Sequence, residues 1–111
     1  MDNLTQKRCV PCEGGTPPLV EDKVKQLLPQ VPGWELEEGK LVRRFKFQNF
    51  KEAIAFVNKV ADLAEAENHH PNISIFGYRN VKLTFYTHAI NGLSENDFIM
   101  SAKVNKIAPK S

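Results

Sequence analysis

The chain has 111 residues, of which 41% are apolar and 25% are charged, and its net charge is +2 at neutral pH. This balance is typical of one globular domain, and the interspersed acids and bases indicate neither nucleic-acid binding nor membrane binding. No apolar run approaches the roughly 18 residues that a membrane-spanning helix needs. The N-terminus also lacks the layout of a secretory signal. We therefore expect a cytoplasmic protein, with an organelle or the nucleus as alternatives.

Residues 1–16 are predicted to form a flexible arm in front of a single domain over residues 17–111. Paired glycines and paired prolines interrupt any regular pattern at the end of this arm. Cys9 and Cys12 form a Cys-x2-Cys pair, but a structural zinc site needs four ligands and the sequence holds no second pair. We interpret both as reduced thiols, as is usual in reducing compartments, and assign the arm no function.

The domain is predicted to begin with an amphipathic helix. Thr16 is its candidate N-cap, and Pro29 ends it near Leu28, because proline disfavours a helical conformation in the residue before it. A hairpin follows between residues 34 and 47, with its turn at Glu38-Gly39. The predicted core positions of this part are Val20, Val24, Leu27, Leu28, Val31, Phe45 and Phe47.

The clearest helix in the sequence is predicted from about residue 50 to residue 66. Asn49 is a suitable N-cap, and Glu52 three residues later completes a capping-box pattern. The apolar stripe of this helix comprises Phe50, Ala53, Ile54, Val57, Val60, Ala61 and Ala64. Its end near His69 places a histidine doublet at a helix-to-strand junction, where catalytic groups are often found.

Two strands and a last helix complete the predicted domain. Residues 72–75 and 81–88 alternate with period two around a turn at 77–80, which indicates an antiparallel pair with one covered face. Ser94 and Asp97 begin the last helix as a second capping box. The order of elements predicts an α+β fold, a four-stranded antiparallel sheet with three helices packed on one face. The other face is exposed or used for self-association.

The chain has three histidines, His69, His70 and His88. No other side chain has an ordinary pKa close to neutral pH. Zinc binding is one alternative, but adjacent residues point in different directions, so a His-His dipeptide rarely gives two nitrogens to one ion. We therefore expect no metal. Nucleophilic catalysis is disfavoured because neither the serines nor the cysteines lie in a recognisable catalytic context.

General acid–base catalysis fits the histidines better. Two or three imidazoles around a small pocket can hold different protonation states, so that one removes a proton while another donates one. Glu65 lies four residues before His69 and is placed to orient an imidazole. A purely structural role for the histidines is the remaining alternative. Trp34 and Tyr78 also have structural explanations, in the core and in a turn, and Asp97 is accounted for as a helix cap, with a catalytic role as second choice.

The sequence resembles the pterin-4a-carbinolamine dehydratase family, which is also known for a transcription-factor dimerisation cofactor. The family pattern is an acid, three residues, His-His-Pro, five or six residues, an aromatic, nine residues, His, at least eight residues and Asp. The matching positions here are Glu65, His69, His70, Pro71, Tyr78, His88 and Asp97. The resemblance covers roughly residues 19 to 108, and seven positions with fixed gaps make it specific.

This resemblance implies dehydration of 4a-hydroxytetrahydrobiopterin to the quinonoid dihydropterin, without a cofactor, in recycling downstream of aromatic amino acid hydroxylation. By position, His69 and His88 are the main acid–base groups, and their assignment as acid or base stays open. His70 binds and assists, and Glu65 supports the doublet. The implied substrate-binding residues are Trp34, Asn68, Pro71, Thr87 and Asp97.

Two departures from the family bear on rate and on the preferred pterin. Asn68 stands where some relatives carry Asp, and Asn96 stands where some carry Arg. The resemblance also implies a homodimer or a homotetramer. Two alternatives stay open: a non-catalytic module that binds a protein partner through an apolar helix face, and an enzyme of a related pterin, for example in molybdopterin metabolism.

Overall fold

A computed structural model describes residues 4–9 and 17–108. Its helices are α1 (Glu21–Leu27), α2 (Phe50–Glu67) and α3 (Glu95–Ile107), and its strands are β1 (Glu35–Glu37), β2 (Lys40–Lys46), β3 (Asn72–Phe76) and β4 (Asn80–Phe85). Short 3-10 segments lie at Leu4–Gln6, Leu28–Gln30 and His88–Ile90. The predicted α+β class is confirmed. Within the described residues, no helix combines the length and apolarity needed to cross a membrane.

The four strands form one antiparallel sheet in the order β1-β2-β4-β3. Its two central strands place Phe45 opposite Val81 and Leu41 opposite Phe85, and all four side chains are buried. Alternate residues such as Arg44 and Lys46 are exposed on the other face. This period-two burial follows from the pleat of a strand and leaves one face for the helices.

Helix α2 confirms the predicted cap and corrects the predicted stripe. The backbone N–H of Glu52 donates to Asn49 Oδ1 at 2.9 Å, and the Glu52 carboxylate accepts from the N–H of Gln48 at 3.1 Å. The buried residues of the helix are Ala53, Phe56, Val60 and Ala64. Phe50 was expected in the core but is 52% exposed. Helical side chains lean towards the N-terminus, so one at the first position points beyond the helix body. Ala61, also expected in the stripe, is exposed.

Two other element boundaries differ from the prediction. Helix α1 begins at Glu21 with Val20 as its N-cap, whereas the predicted cap, Thr16, lies outside the described residues. Strand β4 ends at Phe85, although the alternating pattern continues to His88. The chain bends there because Thr87 pairs with Gly92 in an isolated bridge, and this places His88 in a 3-10 turn.

The described part of the N-terminal arm is packed against the domain. Leu4 is 3% exposed and belongs to the hydrophobic core, and the segment Leu4–Gln6 contacts α3. Burial of the Leu4 side chain contributes about 2 kcal/mol to holding this segment against the domain. Residues 4–9 therefore differ from the flexible arm that composition suggested. Residues 10–16, with Cys12, lie outside the described residues, and for them the flexible arm stays a prediction.

Candidate active site

The histidine doublet is positioned by the way in which α2 ends. Asn68 follows the helix in the left-handed conformation, with φ 52° and ψ 41°, and its N–H donates to the carbonyl of Ala64. Asparagine tolerates this conformation better than most residues, because its short side chain can bond locally. The N–H of His69 also donates to Ala64 O, at 3.2 Å. This cap reverses the chain and fixes the backbone of His69 at the junction between α2 and β3.

His69 is held against a buried carboxylate. Its Nε2 lies 2.7 Å from Oδ1 of Asp97, and the two side chains are 14% and 0% exposed. A carboxylate can only accept a hydrogen bond, so we assign the donated proton to Nε2. The imidazole also stacks on Phe85, with ring centroids 6.0 Å apart and planes inclined by 10°. Nδ1 is therefore the ring nitrogen that the bond to Asp97 does not use.

Asp97 bonds through its second oxygen to two further residues, Thr87 and Ser94. Oδ2 accepts from the Thr87 hydroxyl at 2.8 Å and from the backbone N–H of Ser94 at 2.9 Å. The bond from Ser94 is half of the capping box that begins α3, so the predicted cap is confirmed. The same carboxylate thus caps a helix, orients His69 and anchors the segment that leads into His88.

His70 and Glu65 form a separate and more exposed pair. His70 Nε2 lies 2.5 Å from Glu65 Oε2, and the two side chains are 54% and 77% exposed. Ion pairs at such positions contribute about 1 kcal/mol or less, because water screens them. The geometry therefore joins Glu65 to the second histidine of the doublet, and His69 has Asp97 as its partner.

His88 begins the 3-10 turn after β4 and is exposed. Its ring meets Tyr86 edge-on, at a centroid distance of 5.0 Å and an angle of 74°. The residue before it is fixed twice, since Thr87 exchanges backbone bonds with Gly92 and donates its hydroxyl to Asp97. His88 is thus tied to the His69–Asp97 pair through Thr87.

The remaining predicted site residues lie at different depths. Trp34 is 4% exposed, donates its indole N–H to Asn105 Oδ1 at 2.8 Å, and packs on Phe85 with ring centroids 5.5 Å apart. Phe85 therefore packs on Trp34 and on His69 and links the two rings. Asn68 is exposed and Pro71 is half-buried beside the doublet. Contacts of these residues with a substrate stay predictions.

Sequence reasoning missed two residues that shape this site. Phe85 supports the His69 ring, and the Ser94 hydroxyl lies 2.9 Å from the Thr87 hydroxyl beside Asp97. Phe85 carried a signal, since it is the last buried residue of an alternating strand and lies close to His88 in the sequence. Among residues 4–9 and 17–108, no group of three or more metal-ligating side chains is present.

Comparison with known proteins identifies relatives along almost the whole chain. The family model described as "Pterin 4 alpha carbinolamine dehydratase" matches residues 17–107. A Rubrobacter xylanophilus protein, provisionally named a pterin-4-alpha-carbinolamine dehydratase, is 49% identical over 96% of this chain and 100% of its own. A Methylococcus capsulatus protein with the same provisional name is 51% identical over 98% of this chain and 96% of its own.

Two solved structures of pterin dehydratase-like proteins are also similar to this chain. The crystal structure of a transcriptional coactivator/pterin dehydratase from Brucella melitensis has a TM-score of 0.77 and 34% identity, and it covers 83% of this chain and 99% of that one. A pterin dehydratase-like protein described as a RuBisCO assembly factor in the alpha-carboxysome has a TM-score of 0.56 and 28% identity. It covers 70% of this chain and 89% of its own.

Proposed function

Because the chain belongs to the pterin 4 alpha carbinolamine dehydratase family, we propose that it converts 4a-hydroxytetrahydrobiopterin to the quinonoid dihydropterin and water, in the recycling of tetrahydrobiopterin. The observation that carries this proposal is the pair formed by His69 and the buried carboxylate of Asp97. An imidazole oriented in this way, with one nitrogen left over, is suited to general acid–base catalysis.

The reaction needs only proton transfers. The C4a–O bond breaks as a C4a=N5 double bond forms, the proton on N5 leaves, and the departing hydroxyl takes up a proton to become water. A base near N5 and an acid near the 4a-hydroxyl therefore suffice, and each such group typically contributes 10²–10⁴-fold to the rate.

In the proposed mechanism, His69 exchanges its proton through Nδ1. Its Nε2–H keeps donating a hydrogen bond to Asp97, which fixes the tautomer and holds the ring in one orientation. A neutral His69 accepts a proton at Nδ1, and a cationic His69 donates one from the same atom. The His69 side chain is 14% exposed, so part of the imidazole remains accessible.

His88 is proposed as the second acid–base group, with His70 assisting in binding. The exposure of both rings allows contact with a bound pterin, and Glu65 steadies His70. The proposed binding residues are Trp34, Asn68, Pro71, Thr87 and Asp97. Of these, Thr87 and Asp97 are buried and act by holding the site together, since the Thr87 hydroxyl already donates to the Asp97 carboxylate.

We also propose that the protein forms a homodimer or a homotetramer. Edge strand β3 supports this proposal, because Ile73 and Phe76 on it are 38% and 46% exposed. An exposed, partly apolar edge strand is a template for pairing with another chain. A non-catalytic module that binds a protein partner through an apolar helix face is the alternative, and it is favoured by the coactivator and assembly-factor descriptions of the two structural neighbours.

The test is the rate of 4a-hydroxytetrahydrobiopterin dehydration, followed by absorbance, in the wild type, His69→Ala and His88→Ala. Each variant is expected to lose about 100-fold or more, as for removal of an acid–base group. Lys46→Ala is the control, because Lys46 is exposed on the face of the sheet that the helices leave open and is not among the proposed site residues.

Wild-type turnover is expected to survive a chelator, and loss with chelator would argue for a metal. A folded wild type without activity on this substrate, but active on another pterin carbinolamine, would redirect the proposal to that pterin. A folded wild type inactive on every pterin tested would leave the binding module as the better account.

A further inference from the structure

Residues 4–9, here called the N-terminal strap, precede the residues matched by the family model and join the end of α2 to the start of α3, beside the site. Leu4 anchors the strap in the core. Lys7 Nζ then lies 2.8 Å from Glu95 Oε1 in the first turn of α3. At the far end, the backbone N–H of Cys9 donates to Oε1 of Glu67, the last residue of α2, at 2.9 Å.

These two attachment points are neighbours of the His69–Asp97 pair. Glu67 lies two residues before His69, and Glu95 lies two residues before Asp97. The imidazole and the carboxylate themselves come from segments 28 residues apart in the sequence. A 2.7 Å hydrogen bond between such segments is lost if either helix end shifts by about 1 Å. A segment that bonds to both ends restrains that shift.

Glu67 has the environment of a residue with a specific structural role. Its side chain is 8% exposed, and its second oxygen accepts from Lys103 Nζ at 3.1 Å, so both oxygens are used. The hydrogen bond from the Cys9 N–H, and to a smaller extent the pair with Lys103, lowers the pKa of the Glu67 carboxyl below its usual value. A buried carboxylate costs free energy unless it is bonded, so the strap and Lys103 together make this charge tolerable beside the doublet.

We propose that the N-terminal strap is a positioning element, which holds the end of α2 against the start of α3 and so keeps His69 in register with Asp97. Cys9 and Lys7 act through Glu67 and Glu95 and do not touch the substrate. The catalytic consequence rests on the proposed function, whereas the geometric consequence for His69 does not.

The first readout is the imidazole N–H signal of His69 in ¹H–¹⁵N spectra of the full chain, assigned by its absence in His69→Gln. A ring proton bonded to a buried carboxylate exchanges slowly with water and is therefore visible. Glu67→Ala removes the acceptor of the Cys9 N–H, and Glu67→Gln keeps an acceptor oxygen there while losing the charge that pairs with Lys103. The expected result is loss or broadening of the signal in Glu67→Ala and its retention in Glu67→Gln.

The second readout is turnover, expected to fall about tenfold in Glu67→Ala with little change in KM, because the strap affects the catalytic group and not the binding surface. Val24→Ala is the matched control, since it removes core volume in α1 and lowers Tm, while α1 supplies neither Glu67 nor Glu95, to which the strap bonds. It should keep the His69 signal.

Two results would overturn the proposal. If Glu67→Ala lowers Tm but leaves the His69 signal and turnover unchanged below Tm, the strap is only a stabilising element. If Glu67→Gln loses the signal as fully as Glu67→Ala, the pair with Lys103 matters and the strap does not. An inactive wild type would refute the proposed function but would leave the spectroscopic test of the strap intact.

Discussion

Replacing Asp97 by Asn is the change that most directly tests the proposed role of His69. The side chain keeps its shape but has one oxygen and one NH₂ group in place of two oxygens. The N–H of Ser94 requires an acceptor at the Oδ2 position, so the amide oxygen stays there. The NH₂ group then faces His69 Nε2 and forces that nitrogen to accept. The ring proton moves to Nδ1, and the neutral imidazole can no longer take a proton from a substrate there.

The magnitudes follow from these contacts. A wrong imidazole tautomer in a catalytic site costs on the order of 10²–10⁴-fold in turnover. Asp97 also loses three bonds to a charged acceptor, from His69, Thr87 and Ser94. Each becomes weaker by about 1 kcal/mol as a neutral bond. A favourable charge at a helix N-terminus adds about 0.5 kcal/mol. The variant should therefore be less stable by about 3.5 kcal/mol, with Tm lower by roughly 10–25 °C.

The assay is turnover at a temperature at which denaturation curves show the variant to be folded, combined with the ¹⁵N shifts of the His69 ring. Val60→Ala is the control, because it removes buried apolar volume in the middle of α2 and lowers stability by about 2 kcal/mol but leaves every hydrogen bond of Asp97 in place. Its turnover should stay within about threefold of wild type. A folded Asp97→Asn protein with near-wild-type turnover, or with the proton still on Nε2, would refute the reasoning.

Three further predictions concern stability. The pKa of Glu67 is lowered in the folded protein, first by the Cys9 N–H and then by Lys103. The charged carboxylate therefore stabilises the fold at pH values above its ordinary pKa of about 4.5, and this contribution is lost as the pH falls through the folded-state pKa. Urea unfolding between pH 3 and 7 should therefore show a shallower acid loss in Glu67→Gln. Leu4→Ala should cost about 2–3 kcal/mol in the same assay, whereas no change would indicate an unpacked arm. Asn68→Ala should cost about 1 kcal/mol, and Asn68→Gly should be neutral or stabilising, because φ there is 52°.

The sequence predicted best those features that depend on local chemistry. The Asn49 cap, the Ser94–Asp97 capping box and the alternating burial of β4 are all determined by residues close together in the chain. Such signals survive folding, because tertiary contacts seldom oppose them. The same logic placed the histidine doublet at the end of α2, where the structure has it.

What the sequence did not predict depends on contacts between distant residues. The residues next to Leu4 in the sequence do not predict that it is buried, because its contacts are made with α3. The polar–apolar alternation through His88 favours a longer strand, and only the pairing of Thr87 with Gly92 bends the chain. The second bond of Asp97, to His69, was equally hidden, since a capping role already accounted for the residue.

That double use of Asp97 links the stability of a helix to the chemistry of the site. One oxygen is bonded to the first turn of α3 and to Thr87, so rotation of the carboxylate away from His69 would also break the cap. The helix therefore keeps the acceptor fixed before any substrate arrives, which is what preorganised catalysis requires. It follows that changes which loosen the start of α3 should reach His69 through Asp97. Substitutions on the exposed face of the sheet, such as Arg44 or Lys46, should leave His69 undisturbed.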